Sequence, residues 1–427
     1  MSGFRRVRKY LIPILLIVIL SISIVALYTT YLSPNQSKAN PNAYIGVAFC
    51  GNTTQEAKLL IDRVKSYTNL FILDSGRNPV SENRSKVEEI GDYAVSQGLN
   101  IIVNLGVDDV TGANNTWFWN VPSLDAVKQN WTERWGTKFL GIYYNDEVGG
   151  VQLDAPWREW FATYGAKLNQ IDHPATNALY QIYIKLLDYI NNGTLPQNYT
   201  VEANFFAQDV VAGDPGLQKL NSTGFTSFTS DYGLYWWNYL GGYNVMFTEL
   251  GWNSSVAEQI ALVKGAARLQ NREWGAMITW KYNSEPYLDT GDQIYNQMLS
   301  SYEAGAKYIA IFNYPYNGNN NYGVMTDSQF IALQRFWSDI NQMKYVDQSA
   351  PVAALVLPQN YGWGMRSPND SIWGFWPADS RSVQIGLTTS KLLAQYGVNL
   401  DIVFDDPAYP VANGHYKNVY YWNSTGI

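Results

Sequence analysis

The sequence predicts an α/β protein: a (β/α)8 TIM barrel over residues 43–346, then a small, partial α/β domain over 350–427. Three observations carry this expectation. From residue 43, apolar runs of strand length alternate with amphipathic helical stretches, as parallel strands joined by crossovers require. These units fill about 300 residues, the size of one closed eight-stranded barrel. The last segment repeats the rhythm for about half of a doubly wound domain, as a truncated domain or a fragment would.

Taken in order, "AYIGVAFCG" reads as the first strand. In "TTQEAKLLIDRVKSY", Ala57, Leu60, Ile61 and Val64 fall at helical spacing, with Thr53 or Thr54 as cap. "NLFILDSG" is a strand, and "SENRSKVEEIGDYAVSQG" a helix stopped by Gly98. "NIIVNLGVDD", "SLDAVKQNWTERWG" and "FLGIYYNDE" continue the alternation, and "HPATNALYQIYIKLLDYINNG" reads as a long helix with Pro174 in its first turn. Strand candidates follow in "TVEANFFAQ", "FTSFTSDYG", "YNVMFTELGW", "GAMITWKY" and "KYIAIFNYP". That makes nine candidates for eight places. If "TVEANFFAQ" is a strand, Glu249 lies on the seventh and "KYIAIFNYP" is surplus; if it is not, Glu249 lies on the sixth. The strand–helix rhythm favours the second count. Beyond residue 350, "PVAALVLP", "VQIGLTTSKLLAQYG", "NLDIVFDD" and "NVYYWN" read as strand, helix, strand and strand. A loop bearing Trp363, Trp373 and Trp376 follows the first of them.

Composition narrows the function. Charged residues are only 15% and the net charge is −7, with no basic block past residue nine, which argues against a nucleic-acid partner. One cysteine, Cys50, excludes an intrachain disulfide. Two isolated histidines, His173 and His415, do not make a zinc site or a Ser-His-Asp triad, and no metal or other cofactor is expected. The 16 Trp and 32 Tyr suit a carbohydrate binder, because sugar C–H faces stack on rings.

Residues 1–32 read as an uncleaved signal anchor, with a cleaved signal peptide as the second reading. Arg5, Arg6, Arg8, Lys9 and the amino terminus precede an apolar run from Tyr10 to about Leu32, close to the ~20 residues that span a bilayer. The charge asymmetry places the bulk of the chain outside the cell, on a single-pass anchor. A polar linker follows over 33–42. Eleven N-x-[ST] matches, at Asn35, Asn52, Asn83, Asn114, Asn130, Asn192, Asn198, Asn221, Asn253, Asn369 and Asn423, agree with a glycosylated outer-surface protein.

A barrel carries its chemistry at the C-terminal ends of its strands. There the sequence places Asp74, Asp108, Asp109, Asn145, Asp146, Glu147, Asp231, Glu249, Lys281, Glu285 and Asn313. Glu147 and Glu249 stand out, since each ends an apolar strand before a Gly-containing turn. Paired carboxyls are what glycoside hydrolysis needs, one to protonate the leaving oxygen and one to attack the sugar or activate water. Trp252 and Trp280, with Trp117, Trp119, Trp236 and Trp237, lie in the same loops and are candidates for stacking on substrate.

"YYNDEVGG" and "FTELGWN" resemble the two acid-bearing strands of the barrel glycoside hydrolases, and "ITWKY" is similar to their tryptophan-bearing exit strand. The resemblance implies Glu147 as general acid and Glu249 as nucleophile or base. Asp146 beside Glu147 raises its pKa, and Lys281 holds a substrate hydroxyl or keeps Glu249 ionised. That family often has Asn-Glu, where this chain has Asn145-Asp146-Glu147. The adjacent Asp-Glu also resembles the barrel hexosaminidases, which implies Asp146 as the group orienting a substrate acetamido group. "AALVLPQNYGWGMR" resembles the amidotransferase-like domain of barrel β-galactosidases, which implies subunit association and, without a cysteine nucleophile, no amidotransferase chemistry. The leading expectation is a cell-surface glycoside hydrolase; the alternative is a non-catalytic carbohydrate-binding envelope protein on the same barrel.

Overall fold

The computed structural model describes residues 43–74, 80, 83–105, 124–154, 198–252, 254–314, 322–342, 353–411 and 416–424. The anchor segment, the long helix beginning near Pro174, Asp108, Asp109, Trp117 and Trp119 lie outside these residues. Among the described residues no helix is long and apolar enough to cross a membrane. Residues Asn42–Ile427 form one compact unit.

Eight parallel strands close a barrel in sequence order. They are β1 (Tyr44–Phe49), β2 (Leu70–Leu73), β3 (Asn100–Asn104), β4 (Phe139–Tyr143), β5 (Ser227–Asp231), β6 (Val245–Leu250), β7 (Glu273–Ile278) and β8 (Tyr308–Asn313). β8 pairs with β1 from Tyr308↔Tyr44 to Asn313↔Phe49, closing the ring. The strands read as near-continuous apolar runs because they are buried on both faces.

The described helices around the ring are α1 (Thr54–Val64), α2 (Arg84–Ser96), α3 (Leu124–Trp135), α4 (Val148–Asp154), α5 (Tyr199–Asn204), α6 (Pro215–Thr223), α7 (Tyr235–Leu240), α8 (Val256–Leu269), α9 (Gly291–Glu303) and α10 (Asp327–Gln342). Thr53 caps α1 in a reciprocal box with Glu56, and Asn83 caps α2. "TVEANFFAQ" is not a strand. Asn198 caps α5, which runs into a π-helical stretch over Phe205–Val211. Ala203, Phe206, Ala207 and Val211 are buried at spacings of three and four, so helical periodicity decides against the β-like composition. Glu249 therefore lies on β6, and "KYIAIFNYP" supplies β8.

The second domain is a parallel sheet of order β10-β9-β11, from β9 (Ala353–Leu357), β10 (Leu400–Phe404) and β11 (Asn418–Tyr421), with α11 (Ser380–Tyr396) as its crossover. It packs on α8, where a Cβ on Gly265 would stand 2.3 Å from the Ile402 carbonyl oxygen. Asp401 on β10 pairs with Lys264 at 3.0 Å and Arg268 at 2.8 Å. Trp236 and Trp237 are not available to stack on sugar, since both are 2% exposed. Trp237 packs on Trp373 at 4.6 Å and Phe404 at 4.5 Å between ring centroids, joining barrel to second domain.

Candidate active site

Side chains alternate along a strand, so parity decides which residues enter the barrel. Ile72, Ile102, Phe228, Phe247 and Met277 fill its interior with Tyr143 and Ala48. Two residues further on, the same parity places Cys50, Asp74, Asn104, Ser230, Glu249 and Thr279 in the top layer, at the barrel mouth. Asp231 and Asn313 have the opposite parity.

Three carboxylates meet in this mouth. One oxygen each of Asp146, Glu147 and Glu249 lie within 4.8 Å of one another. Glu249 is buried on β6, Glu147 is half-buried, and Asp146 remains open to solvent. The Tyr143 hydroxyl donates to Asp146 Oδ1 at 2.5 Å and lies 2.9 Å from Ser230 Oγ. Ser230 Oγ lies 2.7 Å from Asp146 Oδ1 and 2.5 Å from Glu249 Oε1. Glu147 and Glu249 interact directly through their carboxyls, whose facing oxygens are within 4.8 Å. Tyr143 and Ser230 bring two hydroxyl protons to four contacts among these groups. Like charges crowded this closely favour keeping a proton among the three carboxyls.

The electrostatics agree. Burial, then the charges of Asp146 and Glu147, push the Glu249 pKa well above its usual value. Glu147 is raised by burial and by Asp146, while its bond with Glu249 pulls it down. The Asp146 residue is exposed, but its carboxyl, turned onto Tyr143 and Ser230, is crowded enough that desolvation raises its pKa against donation from those two hydroxyls. Burial, with Asp146 adding, lifts Asp74 to about 7, although Asn104 donates to it. Burial also raises the Cys50 thiol, with Asp74 and Asp146 adding, so the thiol is a packing group under the acids. Among the described residues these three carboxylates are also the His/Cys/Asp/Glu group close enough to share a cation.

The β4 exit is held in a rare backbone shape. Asn145 and Glu147 have φ of 52° and 55°, left-handed conformations that side-chain-bearing residues seldom adopt. β5 clamps them. Thr229 Oγ1 donates to the Asn145 carbonyl at 2.5 Å, and Glu147 N–H donates to the Ser230 carbonyl at 3.0 Å. Asp231 accepts from Gly149 and Gly150 N–H at 2.6 and 2.8 Å, and from Asn238 at 2.8 Å. Burial lifts its pKa to about 7 against those donors. Its oxygens are filled by the chain, so Asp231 anchors the start of α4.

The remaining candidates separate. Asn313 donates to the Tyr322 carbonyl and accepts from Met325 N–H at 3.1 Å, shaping the loop after β8. Trp252, Tyr282 and Tyr314 are exposed aromatics on the loops after β6, β7 and β8. Trp280 stands among them, edge-on to Tyr314 at 5.2 Å and tilted on Tyr287 at 5.2 Å. Lys281 is half-buried and Glu285 exposed on the same rim. Tyr143 and Ser230, which bridge the acids, were not singled out from the sequence. Their signal is a polar atom at an inward position of an apolar strand.

No family model and no curated protein matches the chain. Solved structures do. A β-galactosidase from the Antarctic haloarchaeon Halorubrum lacusprofundi has a TM-score of 0.51 at 11% identity, over 88% of this chain and 68% of that one. The chain shares its fold with a barrel glycoside hydrolase. The α-L-fucosidase isoenzyme 2 of Paenibacillus thiaminolyticus matches at TM-score 0.45 and 11% identity, over 88% of this chain and 59% of its own. A family 5 glycoside hydrolase from Prevotella bryantii matches at 0.34 and 13%, over 70% and 98%.

Proposed function

We propose that the protein is a retaining glycoside hydrolase acting on an oligo- or polysaccharide. The observation that carries this is the approach of Glu147 to Glu249 at the barrel mouth, with a carboxyl oxygen of each within 4.8 Å of the other. Retaining enzymes hold their carboxyls about 5–5.5 Å apart, whereas inverting ones need about 6.5–9.5 Å to admit water. The roles follow from burial. Where two acids share a proton, the one held higher is the acid at rest. Glu249 is the more buried of the two, and burial favours its protonated form. It would protonate the leaving oxygen, and Glu147, the lower of the pair, would attack the anomeric carbon. This reverses the order that the family resemblance implied. Ser230 and Tyr143 would hold Asp146 and Glu249 in place, and the Trp252–Trp280–Tyr314 rim would stack on sugar rings. The basic and then apolar N-terminal segment supports an outward-facing, membrane-anchored form.

The test is turnover of a panel of aryl glycosides by the full chain, Glu147→Ala and Glu249→Ala, with and without azide. The expected result is loss of roughly 10³-fold or more in kcat for both variants. Azide would rescue the nucleophile variant to an azide of inverted configuration, and the acid variant to one of retained configuration. The Glu147→Ala product should be inverted. A wild-type chain that cleaves no glycoside, or variants that keep activity, would sink the reading. The open position of Asp146 favours a second reading, in which it orients a substrate acetamido group and Glu147 is the acid. A thiazoline inhibitor would then block turnover, and no glycosyl azide would form.

A further inference from the structure

We propose that Arg366 of the second domain is a positioning residue for Glu147, acting through Asp154 at the far end of α4. The inference deepens the proposed hydrolase and rests on Glu147 being a reacting group.

α4 starts directly after Glu147, whose carbonyl accepts from Val151 N–H at 2.7 Å. Its first turn is fixed from the barrel by Asp231. Its last turn is fixed from the second domain. Arg366 Nη1 and Nη2 donate to the two Asp154 oxygens at 2.8 and 2.7 Å, a bidentate fork. The same guanidinium donates to Asp370 at 2.8 and 2.7 Å, so it is held on its own side too. Ser371 Oγ donates to the Leu153 carbonyl at 3.1 Å, and Gln152 donates to the Trp373 carbonyl at 3.0 Å. The Tyr232 hydroxyl donates to Asp154 at 2.9 Å, and its ring lies under Arg366 at 5.2 Å and against Gly150. Second domain, α4 and the β5 exit thus meet around Asp154.

The groups facing Glu147 are Asp146 on its own segment, Glu249 on β6, Asp154 on α4 and Tyr232 after β5. Asp154 raises Glu147, and Arg366 is the cation that compensates Asp154. Losing Arg366 therefore exposes Glu147 to one more negative charge and frees the end of its helix. A residue that only glued the domains together would lower stability without moving the titration of Glu147.

The experiment is a carboxyl-carbon NMR titration of the full chain labelled at glutamate, with Glu147 assigned by its absence in Glu147→Gln. Arg366→Met should shift the Glu147 titration upward, and Arg366→Met with Asp154→Asn should reverse that shift while unfolding stays earlier than wild type. Arg366→Lys should keep the titration near wild type. If Arg366→Met does not fold, Asp154→Asn alone should shift Glu147 downward. An unmoved Glu147 in folded Arg366→Met, or in Asp154→Asn, overturns the proposal. With a turned-over glycoside, the acidic limb of kcat/KM should follow the NMR shift, with kcat falling roughly 10–100-fold and KM little changed. A shifted titration in a chain that cleaves nothing would retain the coupling and reject the hydrolase.

Discussion

Replacing Glu249 by Gln should inactivate the protein and make it more stable, by an amount that grows with pH. Glutamine has the shape of glutamate. Its Oε1 still accepts from Ser230, now at 2.5 Å from Glu249 Oε1. Its NH2 can donate to Glu147 where the shared proton now sits. What disappears is a charge. Two ionised carboxylates with facing oxygens within 4.8 Å of each other repel by about 3 kcal/mol or more at an effective dielectric of about 20. The wild type escapes that repulsion by keeping a proton, which costs about 1.4 kcal/mol per pH unit above the ordinary glutamate value near 4.3. That cost grows with pH until releasing the proton becomes the cheaper course. The sign follows. A carboxyl whose folded pKa is raised gives its full stability below its unfolded pKa and loses it as pH rises. The variant has no such loss, so its advantage should climb from about 1 kcal/mol at pH 5 to about 3 kcal/mol or more as pH rises through the raised pKa of the pair, and then level off. Thermal unfolding of both chains from pH 5 to 9 reads this as a difference of a degree or two at pH 5, widening to several degrees. A difference that is flat with pH, or a variant less stable at pH 8, would refute the shared-proton cluster.

Two further outcomes concern the joint between barrel and second domain. Asp401→Ala should cost about 3–5 kcal/mol in urea unfolding, because it leaves the almost fully buried Lys264 without its counter-charge; Lys264→Met with Asp401→Leu should recover most of that loss. Trp237→Ala should cost about 3–5 kcal/mol through the cavity left against Trp373 and Phe404, and limited proteolysis should then cut the second domain first.

The barrel was legible in the sequence because period and length agree along most of its course. Apolar runs of strand length recur between helices whose caps, such as Thr53 with Glu56 and Asn83, stand where the pattern begins. The nine-for-eight ambiguity arose from "TVEANFFAQ", where aromatic and β-branched composition suggested a strand while burial at spacings of three and four made a helix. Of the site, Asp146, Glu147 and Glu249 were legible as acids closing apolar runs. Asp231 and Asn313 looked the same and serve the scaffold. The difference is strand parity: Phe247 points inward, so Glu249 does, whereas Asp231 lies three residues, an odd number, beyond the inward Phe228. Trp236 and Trp237 were misleading because aromatic content cannot distinguish a sugar platform from a domain seam.

The placement of β5 explains how three acids persist at one barrel mouth. It contributes no reacting carboxyl, yet Thr229, Ser230 and Asp231 all hold the β4 exit: one takes the Asn145 carbonyl, one bridges Asp146 to Glu249, and one fixes the first turn of α4. Each left-handed residue costs of order 1 kcal/mol, and crowded carboxyls cost more. Such a loop left to itself would relax, with Asn145 and Glu147 returning to ordinary backbone and the acids separating into solvent. Hydrogen bonds from a buried neighbouring strand make that relaxation expensive, because each would leave an unpaired polar group in the barrel wall. The site is therefore held by the strand beside it, and Ser230→Ala, which removes one hydroxyl and no acid, should let Asp146 and Glu249 move apart and reduce kcat more than it changes the unfolding temperature.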